Sequence, residues 1–234
     1  GEDFRGSGSG RSLGCNAAAE TVADIVRVTT MAATRVSIFP LAGALLLPGM
    51  DLPLHIFEPR YRALIHDAMA RDRRIGMIQP RGDGPVPPLY DVGCLGHVSH
   101  IEALEDGRFN IILTGLARFR VLRELPVATQ FRQVEAEVEQ APGEDEVLSA
   151  VERAALEQES RRFADMLGYV VDWTAVSRLD DVALVNGIAQ IAPFDPASKQ
   201  TLLEADSLSE RSERIMQLMQ IIGRIERDGG ATLQ

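Results

Sequence analysis

Two short apolar runs, Val36–Leu41 and Leu52–Phe57, open the part of the chain that has a regular hydrophobic pattern. Each run has the length of a β-strand, and Pro40 fits a first strand that ends at an irregular loop. The Pro48-Gly49 pair between the two runs marks a turn. The pattern therefore predicts two strands joined by a loop.

The hydrophobic period changes after Phe57, where the apolar positions are Tyr61, Leu64, Ile65, Ala68 and Met69. This spacing places them on one face of a helix. Pro59 fits the first turn, where its missing N–H would be unpaired anyway, and Glu58 places negative charge at the positive end of the helix dipole. We predict a helix from Pro59 to about Ala70, and we expect Glu58 and Arg60 to form ion pairs with structural neighbours.

Strand character returns after this helix and continues as far as residue 138. The predicted strands are Ile75–Pro80, Cys94–Leu104, Phe109–Leu113, Ala117–Leu125 and Phe131–Val138. Proline and glycine are too frequent between residues 81 and 91 for a regular element, so we expect an exposed loop there, and Glu105–Arg108 supplies a hairpin turn. Several strands with one early helix indicate a closed or half-closed β-barrel rather than a parallel sheet.

The pattern becomes helical around residue 145 and stays helical. The predicted helices cover residues 147–167, Asp181–Ile191, Pro196–Ala205 and Ser209–Arg227. Pro142-Gly143 is the predicted boundary between a β-rich domain, residues 31–140, and a helical domain, residues 144–234. The predicted fold class is α+β, a β pseudo-barrel with one early helix followed by a C-terminal helical bundle.

The first 30 residues differ from the rest, because they lack both an initiator methionine and the uninterrupted apolar core of a secretory signal. We interpret residues 1–30 as a disordered tail or a misassigned extension, with Met31 as the true start. No run approaches 18 apolar residues, and two cysteines, Cys15 and Cys94, are too few for a disulfide framework. We therefore expect a cytoplasmic protein.

Charge is unevenly distributed along the chain, whose net charge is −10. Residues 31–134 carry 12 basic and 10 acidic side chains, whereas residues 135–234 carry 9 basic and 20 acidic ones. An acidic second half argues against docking onto nucleic acid or anionic lipid. We therefore expect neither a nucleic-acid partner nor a membrane partner.

Cys94, His97 and His100 are the residues that most resemble a metal site, since cysteine and histidine bind zinc. On a regular strand, however, Cys94 and His100 point to one face and His97 points to the other. A bulge at Gly96 would be needed to bring them together, and no fourth ligand follows at a suitable spacing. We expect no metal and no other cofactor.

Ser198 and the single lysine, Lys199, are the candidate nucleophile and base. Adjacent residues on a helix project about 100° apart, so an activating contact is not expected. Asp195 and Pro196 fit a helix cap and a first turn instead. Because the sequence also lacks a G-x-S-x-G elbow, a phosphate-binding loop and an H-E-x-x-H motif, we expect no enzyme activity.

Residues 115–121 alternate in a way that is typical of a half-exposed strand, with Phe119 on one face and Arg118 and Arg120 on the other. The same residues also have the composition of a basic-aromatic RNA-binding patch. An RNA-binding module of this kind therefore stays open as an alternative function, as does a small-molecule sensor.

Taken together, several segments resemble the Lon protease N-terminal domain, which is a substrate-binding domain. They are FPL at 39–41, PGMDLPLHIFEPRYRAL at 48–64, IGMI at 75–78, GCLGHV at 93–98, DGRFNIILTGLARFRV at 106–121 and the stretch 183–219. The positions that we regard as its structural fingerprint are Phe57, Glu58, Pro59, Arg60, Tyr61, Gly115, Arg118 and Phe119.

The resemblance implies a PUA-like pseudo-barrel with a helical bundle, and protein binding rather than catalysis. In full-length Lon enzymes the domain precedes an ATPase module and a Ser–Lys peptidase module, and neither occurs in this sequence. We therefore expect a stand-alone, non-catalytic member that acts as an adaptor or regulator in protein quality control. The expected partners are unfolded or extended polypeptide segments, together with a separate protease or chaperone.

We predict a protein-binding surface formed by apolar residues of two turn-rich stretches: Pro40, Leu46, Leu47, Met50, Pro87 and Leu89. Exposed apolar patches often mark binding sites, and an extended segment has the choice of apolar pockets or an open strand edge. The alternative for the leucines is that they plug the open end of the barrel.

Overall fold

The computed structural model describes residues 33–139 and 146–230, with side chains as far as residue 225. All of these residues belong to one compact unit, residues 31–234. The β-rich part consists of β1 Thr34–Pro40, β2 Asp51–Ile56, α1 Pro59–Met69, β3 Arg74–Ile78, β4 Val92–Ala103, β5 Phe109–Glu124 and β6 Gln133–Val138. The helical part consists of α2 Ala150–Leu167, α3 Trp173–Val176, α4 Asp181–Ile191, α5 Pro196–Leu203 and α6 Leu208–Gly230.

The six strands form one sheet in the order β2-β5-β4-β3-β1-β6, and β5 also pairs with β6. The long strand β5 makes this closure possible, because its first half pairs with β2 and its second half pairs with β6. All pairs are antiparallel except β1 with β3. The predicted α+β class, with a pseudo-barrel, an early helix and a following helical bundle, is confirmed.

The prediction of two separate strands over residues 109–125 is wrong, since β5 runs without interruption through Gly115. Gly115 donates its N–H to the Met50 carbonyl (2.8 Å) and accepts a hydrogen bond from the Gly49 N–H (3.0 Å), so the ladder continues. A methyl group at Gly115 would overlap the Leu47 carbonyl. The glycine marks a close approach of two backbones rather than a break in the strand.

Phe119 is the centre of the barrel interior and is fully buried. Around it pack the other members of a small apolar cluster, Val36, Ile38, Ile78, Leu95, Val134 and Ala136. Two glycines on neighbouring strands leave room for its ring: a methyl group at Gly76 would lie 3.0 Å from it, and one at Gly93 would overlap it. The barrel is therefore a filled core and not a pore.

A second, larger apolar cluster extends from the barrel into the helices. It joins residues of the 41–50 loop and α1, such as Leu47 and Leu64, to Val185 of α4 and Leu202 of α5. The predicted boundary at Pro142-Gly143 lies outside the described residues, as does the predicted extension, residues 1–30. The division into two domains stays a prediction.

Polar side chains hold the helices against the barrel along the edge of this core. Lys199 donates from Nζ to the carbonyls of Gly43 (3.0 Å) and Gln190 (3.1 Å). Gln190 in turn donates to the carbonyls of Leu45 and Asp51, both at 3.1 Å. These contacts satisfy main-chain oxygens of the irregular 41–50 loop and therefore fix the loop to α4 and α5.

Candidate functional site

Leu46 and Leu47, two of the predicted surface residues, are only 2% and 0% exposed. Both side chains belong to the large apolar cluster, which joins the barrel to the helices, so they are core residues. The expectation that they contact a partner is therefore wrong.

The other four predicted surface residues are half-buried, and the structure brings only two of them together. Pro40 and Pro87 line a cleft of about 330 Å³. Met50 packs against the large cluster and Leu89 against the barrel interior. The name barrel cleft is used here for the surface formed by Pro40, Tyr61, residues 82–87 and Arg132.

Polar groups in the barrel cleft already have partners. The Tyr61 hydroxyl donates to the Pro40 carbonyl (3.0 Å), and burial raises the pKa of this hydroxyl. Arg132 binds both carboxylate oxygens of Glu124 at 2.7 Å and donates to the Pro87 carbonyl (2.9 Å). The contact with the Pro87 carbonyl holds the 81–88 loop in place.

The fingerprint segment around Pro59 is the junction of β2 and α1, as the sequence predicts. Glu58 occupies the N-cap position, although its side chain makes no capping hydrogen bond. It accepts a hydrogen bond from Arg60 (2.8 Å), whose guanidinium lies 4.4 Å from the centre of the Tyr61 ring. Phe57 is exposed. The segment supports the fold and contains no reactive group.

The candidate catalytic and metal residues are placed apart. Lys199 binds the two carbonyls described above, whereas the Ser198 hydroxyl donates to the N-cap carboxylate of Asp195 (3.1 Å). Cys94 is buried, and burial raises the pKa of its thiol to about 12, while His100 is exposed. Within residues 33–139 and 146–230, no group of three histidine, cysteine or acidic side chains is arranged to hold a metal ion.

Arg118, from the candidate RNA-binding patch, is part of the fold. It pairs with Glu139 (2.6 Å) and donates to the Ala205 carbonyl (2.7 Å), so it joins β5 to the segment after α5. The cleft beside it, which Arg120 also lines, contains acidic side chains as well as arginines. Phe119 lies inside the barrel and cannot stack on a base.

A second concave surface lies in the helical part, and it was not predicted. It has a volume of about 360 Å³ and is lined almost entirely by carbon atoms. We call it the helical groove and define it by its lining residues: Ser160, Phe163, Ala164, Tyr169, Val171, Trp173, Val176, Leu179, Ala183, Leu184, Gly187, Ile188, Ile191, Ala192, Pro193 and Met219. Tyr169 and Ile191 at its rim are 54% and 82% exposed.

Helix caps shape the wall of this groove. Gly168, with φ 71°, ends α2 in the left-handed conformation and turns the chain back across the bundle. Asp172 then caps the short, unpredicted helix α3, and Asp180 caps α4. Arg153 holds the segment between these helices, donating to the Leu179 carbonyl (2.9 Å) and pairing with Asp181 (2.5 Å). The wall is therefore fixed by hydrogen bonds outside the groove.

Two residues in the groove are not explained by folding alone. The Ser160 hydroxyl is buried, with its residue 6% exposed, and has no hydrogen-bond partner among the described atoms. Gly187 lies within α4, where glycine costs about 1 kcal/mol relative to alanine. Apart from its chain neighbours and the backbone of α4, no described atom lies within 4 Å of where its Cβ would be. The Ser160 oxygen has almost no accessible surface, so it is the open space above Gly187 that is the feature of a site that accepts a ligand.

The sequence contains signals for this groove that the predictions did not use. Tyr169, Val170, Val171 and Trp173 form an apolar run directly after the helix-ending Gly168, where a connection is normally polar. Gly187 interrupts a helix that is mostly apolar and has an N-cap side chain. These residues come together in one groove only because of the way α2, α4 and α6 pack. No local sequence pattern predicts this packing.

The described residues contain no helix that is long and apolar enough to span a membrane.

The chain is similar to known proteases over most of its length. It is 29% identical over 191 residues to Lon protease 2 of Desulfotalea psychrophila and 27% identical over 199 residues to Lon protease of Escherichia coli strain K12. These matches cover 78% and 79% of the chain but only 24% of each relative. The chain thus spans about a quarter of the length of the proteases that it matches.

Two solved structures share the fold. The crystal structure of a Lon N-terminal domain protein from Xanthomonas campestris has a TM-score of 0.59 at 24% identity, covering 78% of this chain and 97% of that one. The N-terminal domain of Mycobacterium avium complex Lon protease has a TM-score of 0.59 at 19% identity. The match covers 80% of this chain and 98% of that one.

A family model, described as the ATP-dependent protease La (LON) substrate-binding domain, matches residues 35–220. This range includes all of the barrel except Thr34, the fingerprint segment and the helical groove. The resemblance inferred from the sequence is therefore confirmed, and the chain belongs to the LON substrate-binding domain family.

Proposed function

We propose that this protein is a non-catalytic module that binds polypeptides, and that the helical groove is its principal binding site. The observation that carries the proposal is an open, carbon-lined groove with an exposed aromatic and aliphatic rim. Exposure of apolar area of this kind to water is unfavourable, and covering it with a partner's side chains is favourable. The barrel cleft around Pro40 and Pro87 is a secondary contact surface in this proposal.

Family membership supports this function, because the matching family is described as a substrate-binding domain and the matching relatives are proteases. The similarity covers only 24% of those relatives, so we assign neither ATP hydrolysis nor peptide cleavage to the described chain. Within a cell such a module would act as an adaptor or regulator in protein quality control, presenting bound polypeptides to a separate protease or chaperone.

The test is a binding titration with a reduced, alkylated and permanently unfolded protein that carries a fluorescent label. Fluorescence anisotropy should show saturable binding to the full chain. Gly187→Leu should abolish most of it, because the new side chain fills the groove. Ala154→Leu, which adds the same side chain at an exposed position of α2, is the matched control and should bind as the parent does. Absence of saturable binding of any polypeptide to the parent protein, this unfolded protein or a helical peptide, would refute the proposal.

A further inference from the structure

We propose that the occupant of the helical groove is an amphipathic α-helix of a partner protein, with apolar side chains on one face and lysine or arginine on the other. This inference rests on the proposed function and specifies its substrate class. It differs from the unfolded or extended segments that the sequence suggests.

The lining of the groove is the first argument. An extended segment brings a free N–H and C=O with every residue, and each such group costs free energy if it is buried without a partner. The groove lining is mostly aliphatic and aromatic, and its buried, unpartnered hydroxyl, that of Ser160, is itself shielded from the surface. A helix satisfies its own backbone groups and presents only side chains, so it fits a carbon-lined surface far better.

The sheet edge is the second argument, because an extended segment binds most readily by adding a strand. Within the described sheet β2 is the edge strand, paired on one side with β5. Pro53 lies in β2 and has no N–H to offer a new strand. The carbonyl of Asp51 on the same strand is already taken by Gln190 (3.1 Å). The edge is therefore a poor template for strand addition.

Charge is the third argument and sets the polar face of the partner. Residues 135–234 carry 20 acidic and 9 basic side chains. Beside the groove, Asp165, Asp172 and Asp180 each adjoin a lining residue in sequence. Of the arginines in the same stretch, Arg161 stacks on the Trp173 ring (4.5 Å) and Arg162 pairs with Glu159 (2.6 Å).

The helical part as a whole is therefore acidic, and although Arg161, Arg162 and Arg178 lie beside the groove, it favours a helix whose exposed face is basic.

The shape of the groove floor fits one bulky anchor. The open space above Gly187 leaves room for an apolar side chain of the partner. Buried anchors of this kind carry most of the binding free energy in helix-in-groove complexes.

The test uses three labelled peptides with the full chain in anisotropy titrations. The first has leucines at helical spacing and lysines elsewhere. The second contains the same residues reordered so that leucine and lysine alternate as in a strand. The third has glutamate in place of every lysine of the first. We expect the first to bind at least roughly tenfold more tightly than each of the others. The ratio of the affinities of the first and third peptides should decrease as salt is added, because salt screens the charges.

The variants locate the site. The Gly187→Leu variant should no longer bind the first peptide, whereas the Ala154→Leu variant should bind it as the parent protein does. Equal binding of the reordered peptide, or binding of the unfolded protein without binding of the first peptide, would overturn the helical partner while leaving polypeptide binding intact. Unchanged binding to Gly187→Leu would overturn the site. Failure of the unfolded protein and of all three peptides would overturn the proposed function itself.

Discussion

Replacing Phe119 with alanine removes the side chain that fills the barrel interior, and the structure sets the size of the effect. The ring is fully buried, and truncation of a buried phenylalanine costs about 3–5 kcal/mol. Two of the nearest positions, Gly76 and Gly93, have no side chains that could collapse into the space. We therefore expect a loss of about 4–5 kcal/mol, near the upper end of that range.

The assay is urea unfolding followed by circular dichroism, with the m-value compared between proteins to verify a two-state transition. Gly76→Ala provides a second check. Gly76→Ala alone should lower the free energy of unfolding by about 1–3 kcal/mol, because its methyl group would lie 3.0 Å from the Phe119 ring and 2.7 Å from Val36. When Phe119 is already alanine, the loss of unfolding free energy caused by Gly76→Ala should be smaller by about 1 kcal/mol or more. Additive effects, or a loss below about 1 kcal/mol for Phe119→Ala, would refute the argument that the ring and the glycines form one packed unit.

Three further outcomes follow from individual contacts. Hydrogen bonds from Ser149 and Ser209 lower the pKa of Glu152 from 4.5 to about 2, so its charged form stabilises the native state above pH 4.5 and this contribution is lost as the pH falls towards 2. Glu152→Gln should flatten the acid unfolding curve in that window, and an unchanged curve would contradict the assignment. The Cys94 thiol, with its pKa raised to about 12, should resist alkylation at pH 8 until urea unfolds the protein, as peptide mass spectrometry can show; rapid native labelling would contradict its burial. Arg60→Ala should lower the free energy of unfolding by less than about 1 kcal/mol, because its ion pair with the N-cap residue of α1 is exposed. Thermal unfolding measures this, and a larger loss would contradict the prediction.

Elements with a local cause are the ones that sequence reasoning predicted well. Helix α1 begins at Pro59 and ends at Met69, within one residue of the prediction, because its proline, its apolar period and its flanking charge all lie within the segment itself. Helix α4 matches the predicted Asp181–Ile191 for the same reason. The class of fold follows from the alternation of such local patterns along the chain.

Features that depend on distant contacts were predicted poorly. Gly115 resembles a strand break in sequence, yet its role is set by the Leu47 carbonyl, which lies 68 positions earlier in the chain. Leu46 and Leu47 lie in a loop rich in proline and glycine, and only the covering helices α4 and α5 make them core residues. The helical groove is a third case, because four helices define it and no single segment contains its pattern.

Lys199 is the only lysine in the sequence, and its amine is held between two carbonyl oxygens where the helices meet the barrel. Burial lowers the pKa of this amine, yet an acylating reagent can attack it only after both hydrogen bonds break. The rate of its acylation therefore reports how often these two hydrogen bonds open. The single lysine thus serves as a chemical reporter of local opening, and no substitution is needed to introduce a reactive group.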